Sequence, residues 1–172
     1  VPQAIGKLRF ALLRKEDLGA VVVVERRCFA APWSAGQFRH ELKVPFSRTV
    51  VAWDDEFPGG RVAGYLCRWL VGDEISILNV AVDPDYQRLG LGRALVEMLL
   101  EEARGQGVAQ IILEVRENNA AARKLYESLG FVRTGLRRNY YGKEDHALLM
   151  SRPLGSGGGP EDGLCPSPDT GV

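Results

Sequence analysis

Two histidines, three cysteines and no net charge leave this 172-residue chain few routes to metal or thiol chemistry. Cys28, Cys67 and Cys165 are scattered and odd in number. They match neither a disulfide framework nor the spacing of a metal site, and a reducing cytoplasm is the simplest setting for them. No nucleophile pairs with His40 or His146 in the pattern, and no ligand set surrounds them, so no metal is expected. Basic and acidic residues balance at 22 each, which demands neither direct nucleic-acid contact nor a membrane surface. Glu161, Asp162 and Asp169 lie near the C-terminus, so the body carries a small basic excess, expected of a solvated surface. No apolar run approaches a membrane span. The run at 20–24 is short and sits between Asp17 and Glu25-Arg26-Arg27, which also excludes a signal peptide.

What remains is an ordinary globular composition, 45% hydrophobic and 26% charged, long enough for one domain with a substantial core. That domain is expected over residues 1–154. Residues 155–172 are Gly, Pro, Ser and acid, and are expected to form a disordered tail.

Residues 8–13 alternate like an edge or half-buried strand. Residues 15–29 form the first expected helix, although its valines are weak helix formers. Ser34-x-x-Gln37 has the form of a capping box and opens a short helix to about Lys43, ended by Pro45. Strands follow at 48–53, 61–71 and 74–82, with a tight hairpin at Gly72-Asp73. A helix over 91–104 carries Leu91, Leu95, Met98 and Leu99 at helical spacing and stops at Gly105-x-Gly107. Residues 110–115 form an apolar run expected of a central strand covered on both faces, interrupted by Glu114. Asn118-Asn119 caps a helix to about Leu129, with Gly130 as its stop. Strands at 131–139 and 145–152, joined through Tyr140-Tyr141-Gly142-Lys143, close the chain. The order β-α-α-β-β-β-α-β-α-β-β predicts an α+β, or mixed α/β, domain around one central sheet. It does not match a doubly wound dinucleotide fold.

The chain is organised around residues 79–93, NVAVDPDYQRLGLGR. A buried strand (Val80, Ala81, Val82) leads through a turn into a glycine-spaced loop that opens an apolar helix. Glycines allow close backbone approach, and a helix N-terminus offers unpaired N–H groups and partial positive charge. Together they suit an anion, most often phosphate. Two glycines alone are a weak signal, but the strand–loop–helix context and the donors Gln87, Arg88 and Arg93 strengthen it. The loop lacks the Lys-Ser/Thr of a nucleoside-triphosphate site and the third glycine of a dinucleotide site.

Gln87-x-x-Gly90-x-Gly92 resembles the Q/R-x-x-G-x-G/A signature of the GNAT acetyltransferases. NVAVDPDYQRLGLGRAL, LEVRENNAAARKLYESLGF, RRNYY with EDHALLM, and Ala31-Pro32-Trp33-Ser34 are similar to the ribosomal-protein-alanine N-acetyltransferases of the RimI type. The resemblance covers most of residues 29–153. It implies the GNAT fold, a central, mixed and mostly antiparallel sheet flanked by helices, and acetyl-CoA as co-substrate. Val80, Ala81 and Val82 would hold the thioester end, with their backbone N–H groups as oxyanion donors. Arg88, Leu89, Gly90, Leu91, Gly92 and Arg93 would hold the pyrophosphate. Asn119 matches an asparagine that contacts the cofactor, a role compatible with capping a helix.

Acetyl transfer to an amine requires a neutral amine, a polarised carbonyl and a protonated leaving group. Glu114 is the candidate base, acting directly or through water, since burial at the end of an apolar strand would perturb it. The residues alone leave open an outward-pointing glutamate paired with Arg116 or Arg88; the resemblance implies the proton acceptor. Tyr126 is either a core aromatic or, as the resemblance implies, the proton donor. Trp33, Arg138, Tyr140 and Tyr141, with Arg137 and Asn139, either line an acceptor groove or cover a sheet edge. Glu144 and Asp145 would attract a cationic N-terminus.

An α-amine titrates near 7.7–8.0 and lysine near 10.4, a difference of about 2.5 units or about 3 kcal/mol. That favours an α-amine for a mild base. The expected acceptor is the N-terminal alanine of a small-subunit ribosomal protein, number eighteen in the family's usual case. Alternatives are another protein N-terminus, a lysine or small amine, or a GNAT-fold partner of tRNA-modifying proteins.

Overall fold

The computed structural model describes residues 6–142 and 144–155. The tail expected over 155–172 lies, except for its first residue, outside the described residues.

The secondary structure follows local signals. Strand β1 (Arg9–Leu12) precedes a 3-10 turn at Lys15–Asp17 and helix α1 (Leu18–Cys28). The continuous helix expected over 15–29 is therefore divided. Asp17 reaches back to the Arg14 amide at 3.0 Å and holds the tighter turn. The valines of α1 overcome their low propensity by burial, with Val21, Val22 and Val24 packed inside. Helix α2 (Ala35–Glu41) opens on the expected capping box, in which Ser34 Oγ accepts from the Gln37 amide. Next come β2 (Ser47–Asp54), β3 (Arg61–Val71) and β4 (Glu74–Val82). Helix α3 (Leu91–Gly105), β5 (Gln110–Arg116), α4 (Ala120–Ser128), β6 (Val132–Gly142) and β7 (Asp145–Pro153) complete the described chain.

The seven strands form one sheet in the order β1-β2-β3-β4-β5-β7-β6. Every neighbouring pair is antiparallel except β4 with β5. One apolar cluster packs α1 and α2 through Leu18, Val21, Val24 and Phe38 onto Val51 and Tyr65. The other packs α3 and α4 through Leu91, Leu95, Leu99 and Tyr126 onto Ile75, Ile77, Ile111 and Leu113.

Three expectations need correction. Met98 is exposed, and the buried stripe of α3 runs instead through Leu91, Leu95, Val96, Leu99, Leu100 and Ala103. Strand β5 is not covered evenly on both faces. Ile111, Leu113 and Val115 are buried while Glu114 is exposed, the two-residue alternation of a strand. Tyr140-Tyr141-Gly142 is not a connection but the end of β6, which runs to Gly142.

The feature that positions the site is a divergence of strands. β4 pairs with β5 over four positions only, from Glu74 opposite Gln110 to Ile77 opposite Leu113. On its other edge β4 stays paired with β3 as far as Val82 opposite Gly64. Between Cys67–Asn79 and Arg68–Ile77 that ladder slips by one, leaving Leu78 as a bulge. A bulge bends its strand and increases the local twist. Beyond it β4 follows β3, β5 follows β7 to Arg116 opposite Ala147, and the two part.

Candidate active site

The parted strands open a cleft of about 540 Å³. Leu78, Asn79 and Val80 of β4 line one wall, and Glu114 and Arg116 of β5 line the other. Asn119 and Tyr126 enter from α4, and Glu25, Cys28 and Trp33 from α1 and the loop after it. Past Ile77 the β5-facing backbone groups of β4 have no strand partner and face this space. Of the three residues expected to carry the thioester, Val80 lines the cleft. Ala81 is buried on the α1 side, and Val82 sits against Gly92.

The loop after β4 is held from beneath. Asp83, 1% exposed, takes Arg27 at 2.7 Å and Arg61 at 2.9 Å, and Gln87 Nε2 donates to the Val82 carbonyl at 3.0 Å. Arg88 (φ 60°) and Gly90 (φ 90°) both adopt the left-handed conformation and wrap the backbone around Leu89. Helix α3 begins at Leu91, and its Ala94 amide bonds back to Gly90 at 3.0 Å. The amides of Leu91, Gly92 and Arg93 therefore have no intrahelical acceptor. The Arg93 guanidinium is tied to Ser128 Oγ at 2.6 Å and Glu97 at 3.2 Å, and its backbone amide is one of the three at the helix end. Left-handed glycine, free amides and the positive end of α3 suit a phosphate group.

Glu114 stands at the cleft wall but not in the buried setting expected for it. Its side chain is 30% exposed, and its Oε1 pairs with Arg137 at 2.8 Å. Neither Arg88 nor Arg116 is that partner; Arg116 pairs with Asp145. Tyr126 is 7% exposed, edge-on to Phe131 at 5.6 Å. Burial pushes its hydroxyl up to about 12. Among the described residues no group bonds that hydroxyl, so it remains protonated and available as a donor. Asn119 caps α4, its Oδ1 accepting from the Ala122 amide at 3.1 Å, which leaves its NH₂ for the cleft.

The expected acceptor residues divide. Trp33 lines the cleft and packs on Phe38 at 5.3 Å. Arg138 and Tyr140 lie on β6 outside the cleft wall, and Tyr140 is 53% exposed with Arg137 stacked on it at 5.6 Å. Tyr141 continues β6. Asp145 is engaged by Arg116, and His146 Nδ1 accepts from the Asn139 amide at 3.0 Å.

Two residues in the cleft had no place in the sequence expectation. Glu25 is 1% exposed. Its Oε1 accepts from the Trp33 amide at 2.8 Å and its Oε2 from the Tyr65 hydroxyl, with Asn79 Nδ2 at 3.3 Å from both oxygens. Burial, and then the charge of Glu25, drive the Tyr65 hydroxyl far above its ordinary range, so it stays a donor. The signal was present: Leu18, Val21 and Glu25 share one face of α1, so a carboxylate interrupts the apolar stripe. Cys28 donates its thiol to the Val82 carbonyl at 3.2 Å, and burial pushes it up to about 11. Such a thiol is a poor nucleophile. Among the described residues no cluster of His, Cys, Asp and Glu is placed to hold a metal.

Comparison with known proteins agrees with this geometry. The acetyltransferase (GNAT) family model matches residues 18–131. The [ribosomal protein bS18]-alanine N-acetyltransferase of Escherichia coli K12 is 44% identical over 149 residues, covering 83% of this chain and 95% of the relative. The N-alpha-acetyltransferase RimI of Mycobacterium tuberculosis is 39% identical over 75% of this chain and 81% of its own. The crystal structure of the Escherichia coli ribosomal-protein-S18-alanine N-acetyltransferase superposes with a TM-score of 0.79 at 38% identity, covering 92% of this chain and 99% of that one. The parted β4–β5 pair, the helix-end anion cradle and these likenesses together show that the chain belongs to the acetyltransferase (GNAT) family, in its RimI branch.

Proposed function

We propose that this protein is an acetyl-CoA-dependent N-α-acetyltransferase acting on the N-terminal alanine of ribosomal protein bS18. The observation that carries the proposal is the early end of the β4–β5 ladder at Ile77 and Leu113, which opens a cleft holding Glu114 and Tyr126 together. The 44% identical relative named for bS18-alanine N-acetylation supports the acceptor.

Acetyl-CoA, when bound, supplies the acetyl thioester. The amides at the start of α3, with the left-handed turn at Arg88–Gly90, hold its pyrophosphate, and Asn119 adds an amide contact. The unpaired β4 backbone around Val80 takes up negative charge developing on the carbonyl oxygen. Glu114 accepts a proton from the acceptor ammonium, directly or through one water. Arg137 holds the Glu114 carboxylate in place at the mouth. Tyr126 donates its hydroxyl proton to the leaving sulfur. Cys28 is bonded to Val82 and kept neutral, so transfer runs directly from thioester to amine within a ternary complex. Trp33 and the Arg138–Tyr141 stretch of β6 flank the path of the acceptor peptide. The setting is the cytoplasm.

Glu114→Gln and Tyr126→Phe test the assignment in steady-state assays with a bS18 N-terminal peptide. Each is expected to lower kcat by about a hundredfold or more with acetyl-CoA affinity retained. Wild-type turnover in either folded variant removes that residue from the mechanism.

A further inference from the structure

The carboxylate of Glu25 is the most deeply buried charge in the cleft, and none of its neighbours is a cation. Its partners are the Trp33 amide, the Tyr65 hydroxyl and the Asn79 side-chain amide. Among the described residues no lysine, arginine or histidine lies within ion-pair distance of it. Burying a carboxylate in this way costs stability, and an apolar residue on the α1 stripe would pack without that cost. The other carboxylate of the cleft, Glu114, already has Arg137.

The arrangement has a directional consequence for Asn79. An amide side chain presents NH₂ on one side and a carbonyl oxygen on the other. Glu25 offers acceptors only, and Asn79 Nδ2 also lies 2.9 Å from the Tyr65 hydroxyl oxygen. The NH₂ must therefore face Glu25, and the amide oxygen faces away from it. Asn79 follows the Leu78 bulge, at the point where β4 leaves β5, and lines the cleft beside Val80. No protein donor among the described residues occupies its oxygen. The cleft thus contains an acceptor oxygen of fixed orientation, backed by an uncompensated negative charge.

We infer that Glu25, by fixing Asn79 and supplying that charge, is the positioning residue that makes the cleft selective for an acceptor bearing a free amine. The Asn79 oxygen receives an N–H of the arriving ammonium, and Glu25 stabilises its charge until Glu114 removes the proton. Selection for the amine and removal of its proton are then the work of two different carboxylates. The inference rests on the proposed role of the cleft as the place where acceptor and thioester meet.

The test is calorimetric binding to the CoA-loaded protein. Two peptides of one sequence are compared, one beginning with alanine and one with a propionyl group, which lacks only the amine. The native protein is expected to prefer the alanyl peptide by about tenfold or more. Glu25→Gln keeps the size of the side chain, removes the charge and lets Asn79 turn over, so the preference should fall towards one. Asn79→Ala should lose it similarly with Glu25 intact, and decides the matter if Glu25→Gln does not fold. A Glu25→Gln or Asn79→Ala protein that weakens both peptides equally, keeping the preference, shows a packing role only and overturns the inference. A native protein that binds neither peptide overturns the proposed acceptor site itself.

Discussion

Tyr126 is suited to donate a proton because it is buried. Its hydroxyl is pushed up to about 12 by desolvation, above the usual value near 10. The neutral, donating form therefore persists to higher pH than in an exposed tyrosine. The acceptor arrives as its ammonium and loses its proton to Glu114 in the cleft, so the contribution of Tyr126 is read in kcat at saturating peptide. The expected kcat for a saturating alanyl peptide holds level from about pH 9 through about pH 10. A descending limb centred near pH 10 would contradict the assignment of Tyr126 as donor. Glu114 differs from its sequence expectation in a way that matters here. It is charge-paired and partly exposed rather than buried, held by Arg137 beside solvent and not enclosed in an apolar pocket. Arg137 is 23 positions away on β6, and no local pattern ties the two.

The element that makes the site is β4, which stays with β3 while leaving β5. That attachment requires close backbone approach at Gly64, where a Cβ would stand 2.7 Å from the Ala81 carbonyl oxygen and 3.2 Å from Leu91. Gly64→Ala would force β3 and β4 apart beneath the cleft wall at Val80. It should cost about 1–3 kcal/mol of stability, read as a lower denaturation midpoint, together with weakened acetyl-CoA binding. An unchanged midpoint would show that the two strands can separate freely. Elements closed by nearby residues were legible in the sequence. Ser34 with Gln37, Asn119 with Ala122, and the left-handed Gly130 each act within four residues or on one backbone angle. The glycine loop was legible for the same reason, and its neighbours supplied the resemblance. The Leu78 bulge and the four-residue length of the β4–β5 ladder were not, because register is set across strands, by partners 9 and 12 positions away in β3 and 36 away in β5. Glu25 was overlooked because its three donors come from a loop, β3 and β4, and only the fold brings them together.

At the scale of the whole molecule, helices cover both faces of the sheet, and the cleft lies where β4 and β5 part. The mixed, mostly antiparallel architecture and the element order expected from the sequence are those observed. Among the described residues no helix is long and apolar enough to cross a membrane. On the proposed reading, the helix end at the start of α3, the parted strands and the carboxylates of the cleft make one path from a phosphate-bearing cofactor to an amine arriving past Trp33. The most direct measurement is peptide-level mass spectrometry of unacetylated small-subunit ribosomal proteins incubated with this protein and labelled acetyl-CoA. The predicted result is one label, on the α-nitrogen of the N-terminal alanine of bS18. Label confined to lysine side chains or to other proteins, or no label at all, would contradict it.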